Sequence, residues 1–243
     1  MIELINLHKS FGKKQVLTGV TLSIKQGETV VIIGRSGCGK SVLLKHIVGL
    51  LTPDSGEVIV MGKHVPRLKQ KELYALRKQF GFLFQGAALF DSMTVGENIA
   101  LPLVESEEKY SEEQIKTLVS EKLTLVGLPG IEQLKPSELS GGMKKRVGLA
   151  RAIVTNPEYI LYDEPTTGLD PIMSDNIDDV INDLRKKLNV TSIVVTHDMF
   201  SVINVADRVV MMHEGKIHFD GTPAELDTST DSIISEFIHR TKQ

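Results

Sequence analysis

The eight residues Gly34-Arg35-Ser36-Gly37-Cys38-Gly39-Lys40-Ser41 restrict this chain more than any other stretch, because they satisfy G-x-x-x-x-G-K-[ST] without a mismatch. That pattern carries meaning only between a strand and a helix. Glu28-Thr29-Val30-Val31-Ile32-Ile33 supplies the strand, an apolar, β-branched run. Leu43, Leu44, Ile47 and Leu51 then recur at helical spacing. The glycines let backbone N–H groups curl round a polyphosphate, and the helix points its positive end at that charge. Lys40 is set to reach the outer phosphates, and the Ser41 hydroxyl to hold Mg²⁺. The competing reading is a glycine turn that binds nothing. The full match in the right context favours a nucleotide site.

A chain of 243 residues, 41% hydrophobic, can bury the core of one large α/β domain with a subdomain. Its net charge of −3, with no basic tail or aromatic-basic patch, excludes a polyanion such as DNA as the expected partner. Apolar runs are short against the roughly 20 residues a bilayer span needs. Met1–Asn6 lacks the layout of a secretion signal. A single cysteine rules out an internal disulfide and fits a reducing compartment. The expectation is a soluble, intracellular chain; if it works at a membrane, another chain supplies the spans.

Along the chain, Ile2-Leu4-Ile5-Leu7 and Val16-Leu17-Val20-Leu22-Ile24 alternate as strands around a hairpin-like Ser10–Lys14. Phe11 on that turn is either a packing residue or a ring for stacking on a base. A turn over 51–56 precedes a strand at 57–62, a charged helix at 67–79, and a strand at 80–85 that ends on Gln85. Over 86–155 strand signals vanish. Helical periodicity runs through 111–126 and 144–154, which marks a helical insert. Strands at 159–162, 191–196, 208–212 and 216–219 then alternate with helices at 172–188 and 199–205, as a parallel sheet covered on both faces requires.

Three further stretches carry chemistry. Tyr159–Tyr162 is an apolar strand ending in Asp163 and Glu164. Asp163 suits a Mg²⁺ ligand and Glu164 a proton acceptor for attacking water, although paired acids after a strand are often plain solvated residues. Ser140 is a good N-cap and Gly141-Gly142 leave the first N–H groups of the next helix uncovered, a second anion site. A second such site makes sense if it serves the nucleotide of another copy. His197 follows a sheet strand, where a core role competes with donation to a γ-phosphate.

With these residues in order, the chain resembles the ATPase subunits of ATP-binding-cassette (ABC) transporters over nearly its whole length. Gly34–Ser41 is similar to the Walker A loop, Ile160–Glu164 to Walker B, Gln85 to the Q-loop, Leu139–Met143 to the signature, Thr167–Asp170 to the D-loop and His197 to the switch histidine. The resemblance implies an α/β P-loop NTPase (RecA-like) core with an N-terminal antiparallel β subdomain and an inserted helical subdomain. Core and β subdomain take 1–85 and 156–225, the helical subdomain 86–155, and a helical tail 226–243. It implies ATP and Mg²⁺ as cofactors, with Ser41, Gln85 and Asp163 on the metal. Glu164, His197 and Lys40 are the implied catalytic residues. Phe11 and Val16 fall where the family flanks the adenine. Arg35, Ser36, Gly37, Cys38 and Gly39 belong to the loop, and Asp170 to the nucleotide-binding set. Asp170-Pro171 also suits the N-cap and first position of the next helix on its own account. The implied assembly is two copies sandwiching two ATPs, with Ser140, Gly141 and Gly142 of one copy on the γ-phosphate held by the other.

The signature departs from the family at Met143, which cannot make an amide's hydrogen bonds. Ser140–Val147, Phe84–Val95 and Leu128–Ile131 resemble one branch, the Mla/MCE-type lipid-transport ATPases. That likeness implies a cytoplasmic-face peripheral subunit of an inner-membrane complex, with an integral permease and an MCE-domain protein, driving phospholipid transport. The same motifs also serve importers of small polar solutes, and ABC ATPases with no permease form a third reading. Lys144-Lys145-Arg146 is either part of the branch likeness or a solvated helix face. Cys38 is either a small filler or a thiol whose pKa is lowered by the adjacent helix N-terminus, in which case thiol reagents inhibit and ATP protects. The amphipathic tail 231–240 either packs on its own domain or meets a partner.

Overall fold

The computed structural model describes residues 1–241. By contacts it forms two compact units, one of Met1–Arg77 with the chain from Thr191 onward, the other Lys78–Val190. No helix among the described residues is long and apolar enough to cross a membrane.

The first unit contains an antiparallel sheet ordered β2-β1-β4-β5, from β1 (Ile2–Phe11), β2 (Lys14–Ile24), β4 (Ser55–Val60) and β5 (Lys63–His64). Ile2, Leu4 and Leu7 point into its core, but Ile5 is exposed. A register shift between Leu4 and Leu7, with Asn6 at φ 47°, breaks the alternation there. β3 (Thr29–Ile33) pairs in parallel with β8 (Thr191–Val195) on one side and β9 (Arg208–His213) on the other. All five β3 residues are buried, so each aliphatic side chain contributes about 1.5–3 kcal/mol. β10 (Lys216–Gly221) closes this side antiparallel to β9.

Helix α1 (Lys40–Ile47) buries Leu43, Leu44 and Ile47 as their spacing predicts. It stops short of Leu51. Gly49 turns at φ 64°, and Arg77, the last residue of α2 (Gln70–Arg77), donates to the carbonyls of Val48 and Gly49 at 2.9 and 2.8 Å. That guanidinium satisfies carbonyls a helix end leaves orphaned.

In the second unit, β6 (Phe80–Leu83) and β7 (Tyr159–Asp163) pair in parallel, with α3 (Val95–Val104), α4 (Glu112–Leu125), α5 (Gly141–Ile153) and α6 (Pro171–Leu188). α5 lies so close on β6 that a Cβ at Gly81 would sit 2.4 Å from the Ala152 carbonyl oxygen. α3 is an element the periodicity missed. It opens with a capping box, Thr94 with Glu97, and its buried Asn98 ties down Phe90 through bonds of 2.7 and 3.1 Å.

The first unit is completed by α7 (Met199–Val205), α8 (Pro223–Asp227) and the tail helix α9 (Ser232–Thr241). α8 is too short to show a helical period in the sequence, and a capping box of Thr222 with Glu225 marks its start. α9 buries Ile234 and Phe237 and is capped by Asp231, so the tail packs on its own chain.

Candidate nucleotide site

The glycine loop leaves β3 and enters α1. Gly34 has φ 147°, and a Cβ there would lie 2.4 Å from the Met212 carbonyl oxygen and 2.8 Å from Cys38 Sγ. Gly39, at φ 108°, is the N-cap of α1, and its Cβ would lie 2.8 Å from Leu17 and 3.3 Å from Val16 Cγ1. Neither position has room for a side chain, and Gly39 brings no capping side chain to compete for the helix's first N–H groups. Lys40 is 8% exposed; its Nζ donates to the carbonyls of Gly34 and Arg35 at 2.7 and 3.4 Å. A lysine so folded back onto the loop backbone is placed to reach phosphates that the loop would cradle.

The other predicted residues of this unit differ in their surroundings. Val16 lies against Gly39 of the loop. Phe11, at the end of β1, is 47% exposed with Lys9 Nζ 5.7 Å from its ring centroid. His197 is exposed just past β8; Thr196 N donates to Ile32 O at 3.3 Å, which sets it at the sheet edge where β3 enters the loop. Arg35 pairs with Glu236 of α9 at 2.8 Å. Cys38 corrects an expectation. Burial pushes its thiol up, and the Lys40 charge offsets this only in part.

In the second unit, Leu83 of β6 lies opposite Tyr162 of β7, so Gln85 and the acids Asp163 and Glu164 leave the sheet at one edge. Glu164 has φ 52° and accepts a bond from Thr167 Oγ1 at 3.1 Å. Asp170 is the N-cap of α6, accepting from Met173 N at 2.9 Å, with Pro171 at the first position. Ser140 is the N-cap of α5, accepting from Met143 N at 3.2 Å; Ser140 and Gly141 are exposed while Gly142 is buried.

One group was not legible as a site residue. Lys145 is 5% exposed and donates to the Glu164 carbonyl oxygen at 3.1 Å and to that of Gln85. It does not belong to a solvated face. Burial lowers its pKa, and Glu164 and Asp163 work the other way. Nearby, Ala87 and Ala88 hold φ of 58° and 49°, left-handed values that cost an alanine about 1–2 kcal/mol each.

A strand, a glycine loop with no room for a Cβ at Gly34 or Gly39, and a helix opened by a buried lysine define a phosphate-binding-loop protein with an α/β core. The chain belongs to the ABC transporter family, whose model matches residues 17–167, and it is an ATPase of that kind. It is 45% identical to "Protein TRIGALACTOSYLDIACYLGLYCEROL 3, chloroplastic" of Arabidopsis thaliana, over 98% of this chain and 73% of that protein. It is 41% identical to "Intermembrane phospholipid transport system ATP-binding protein MlaF" of Haemophilus influenzae, over 98% of this chain and 90% of that protein. Among solved structures, a dimeric ATP-binding cassette in a post-hydrolysis state with ADP and Pi matches at TM-score 0.83 and 33% identity, covering 92% of this chain and 99% of that one.

Proposed function

We propose that this chain powers phospholipid transport across the cell envelope, as the peripheral ATPase on the cytoplasmic face of an inner-membrane complex. The observation that carries the cargo is the near-full-length likeness to the phospholipid-transport ATP-binding protein, 41% over 98% of this chain.

Lys40 and the N–H groups of the glycine loop hold the phosphates of ATP, with Val16 and Phe11 at the base. Ser41, Gln85 and Asp163 are the residues that would hold Mg²⁺. Among the described residues no cluster of three or more His, Cys, Asp or Glu could cage a cation. A hydroxyl, an amide and one carboxylate suit an ion that keeps phosphate and water as its other ligands. When bound, Mg²⁺ neutralises charge on the phosphates. Glu164 takes the proton from attacking water. Lys40 and His197 donate toward the γ-phosphate as charge develops there.

The exposed Ser140 and Gly141, with Ile172 at the start of α6 75% exposed, suit a face that meets a second copy of the chain. A groove of about 460 Å³ in the second unit, lined by Phe82, Phe84, Phe90, Leu101 and Pro102, suits an apolar helix of a permease. Within the groove Phe84 and Phe90 stand 43% and 50% exposed. An MCE-domain protein completes the proposed complex.

Two experiments test this. Glu164→Gln should bind ATP normally and nearly stop turnover; wild-type hydrolysis would remove Glu164 from the mechanism. Pull-down from solubilised native membranes should recover a multi-span permease, an MCE-domain protein and phospholipid. A permease with a soluble solute receptor would keep the ATPase and discard the cargo. Recovery of no membrane protein would discard the transporter.

A further inference from the structure

Helix α5 holds the segment after β6 at Gln85, Ala87 and Ala88. Lys145 reaches the Gln85 carbonyl and, 3.1 Å away, that of Glu164, so one ammonium joins the chain leaving β6 to the chain leaving β7. A lysine normally extends its charge to water; this one is spent on two backbone oxygens. Further along, a Cβ on Gly148 would lie 3.0 Å from Leu83 Cδ1 and 3.1 Å from Ala87 Cβ, so the segment lies directly against the helix. Beyond that, the Arg151 fork donates to the carbonyls of Ala87 and Ala88, each at 2.8 Å. Alanine has no preference for the left-handed backbone these two residues adopt, so the conformation depends on what holds it.

We infer that Lys145 and Arg151 are positioning residues that make α5 and Gln85–Ala88 one body, so that Gln85 and Glu164 follow any movement of the helix that begins at Ser140. The inference rests on the reading of Gln85 and Glu164 as site residues. A 13-residue helix is a stiff rod of about 20 Å, so displacement at its start reaches Lys145 with little loss. An ATP-bound partner engaging Ser140, Gly141 and Gly142 would thereby set the pose of the two groups that act on water and metal.

The test uses the full chain as wild type, Lys145→Met, Lys145→Arg and Arg151→Met, each with its thermal transition and its ATP affinity measured. Amide exchange over residues 84–90 is followed alongside kcat and KM. In Lys145→Met and Arg151→Met, exchange over 84–90 should rise roughly fivefold or more while β7 stays protected. Their kcat should fall about tenfold or more with KM for ATP within about twofold, since a misplacement near 1 Å can cost about 100-fold. Lys145→Arg should restore most of the rate. Wild-type exchange over 84–90 in both methionine variants would overturn the inference, as would a rate loss that only tracks the fraction folded. If Lys145→Met does not fold, Arg151→Lys, which keeps the charge and loses the fork, makes the same comparison. A wild type that binds ATP without hydrolysing it would sink the role of Glu164, while the exchange data would still decide the clamp.

Discussion

Two helices in this protein open on glycines, and they are built to opposite ends. At α1 the N-cap is Gly39, with no side chain to satisfy the first N–H groups; at α5 it is Ser140, whose hydroxyl already takes one from Met143. The walls differ as well. A Cβ at Gly34 would strike a backbone oxygen at 2.4 Å, whereas at Gly141 and Gly142 the nearest atoms are side-chain tips, Leu169 Cδ2 at 3.4 Å and Met173 Sδ at 3.2 Å. Backbone cannot yield and a methionine tip can. The first cradle is finished by its own fold and closed to variation. The second leaves Ser140 and Gly141 exposed, with Gly142 buried against a side chain that can turn aside.

The sharpest way to break that contrast is Gly34→Ala. The methyl group must displace the Met212 carbonyl or the loop, a cost of about 3 kcal/mol, so ATP affinity should fall roughly 100-fold by titration. Wild-type affinity would mean the cradle is softer than its contacts indicate. Next, Gly142→Ala should leave ATP affinity within about twofold, since Met173 can turn aside, yet lower kcat about tenfold through the face offered to a second copy. Equal losses in both quantities would erase the distinction between the cradles.

A smaller effect concerns Cys38. Because burial raises its pKa, less thiolate exists at pH 7 than in a free thiol, so labelling should be slow there. It should speed up as pH climbs through and beyond the ordinary thiol range. Labelling at pH 7 as fast as a small free thiol would contradict a closed loop. The smallest effect is expected from Glu236→Gln. Its pair with Arg35 is 46% and 47% exposed, and such pairs are worth about 0–1 kcal/mol. Removing a carboxylate beside the phosphate loop should tighten ATP binding, by less than about fivefold. Weaker binding would show that α9 supports the loop by more than charge.

The elements that sequence made legible are those whose pattern is local. β3, β7 and β8 each carry a compact apolar run, Val30–Ile33, Tyr159–Tyr162 and Ile193–Val195, and α7 appears over the residues expected. The Ser140 and Asp170 caps were readable because a cap needs only its own neighbours. α3 was lost because Pro102 and a nearly uniform apolar stretch hide its period, although Thr94 and Glu97 spelled its start. The outward turn of Ile5 is not local, because a bulge is decided by the partner strands: Gly56 in β4 comes so near that its Cβ would lie 2.3 Å from Asn6 O. Within Lys144-Lys145-Arg146, nothing linear reveals which side chain turns inward. Only the packing of α5 selects Lys145. The predicted insert 86–155 lies wholly inside the second unit, which also holds β6, β7 and α6.

The first unit is drawn from two distant stretches of chain, and this has a consequence for synthesis on the ribosome. β3 emerges early, but its neighbours β8 and β9 follow only after Val190. At about 5–20 residues per second, a wait for some 160 residues lasts roughly ten to thirty seconds. Through that interval the four apolar residues Val30–Ile33 have no sheet to join, and the phosphate loop has no wall at Met212. The second unit is one continuous segment and needs no such delay. The nascent chain therefore completes its signature helix first and its phosphate cradle last, which makes the half-made strand β3 the segment most in need of a chaperone.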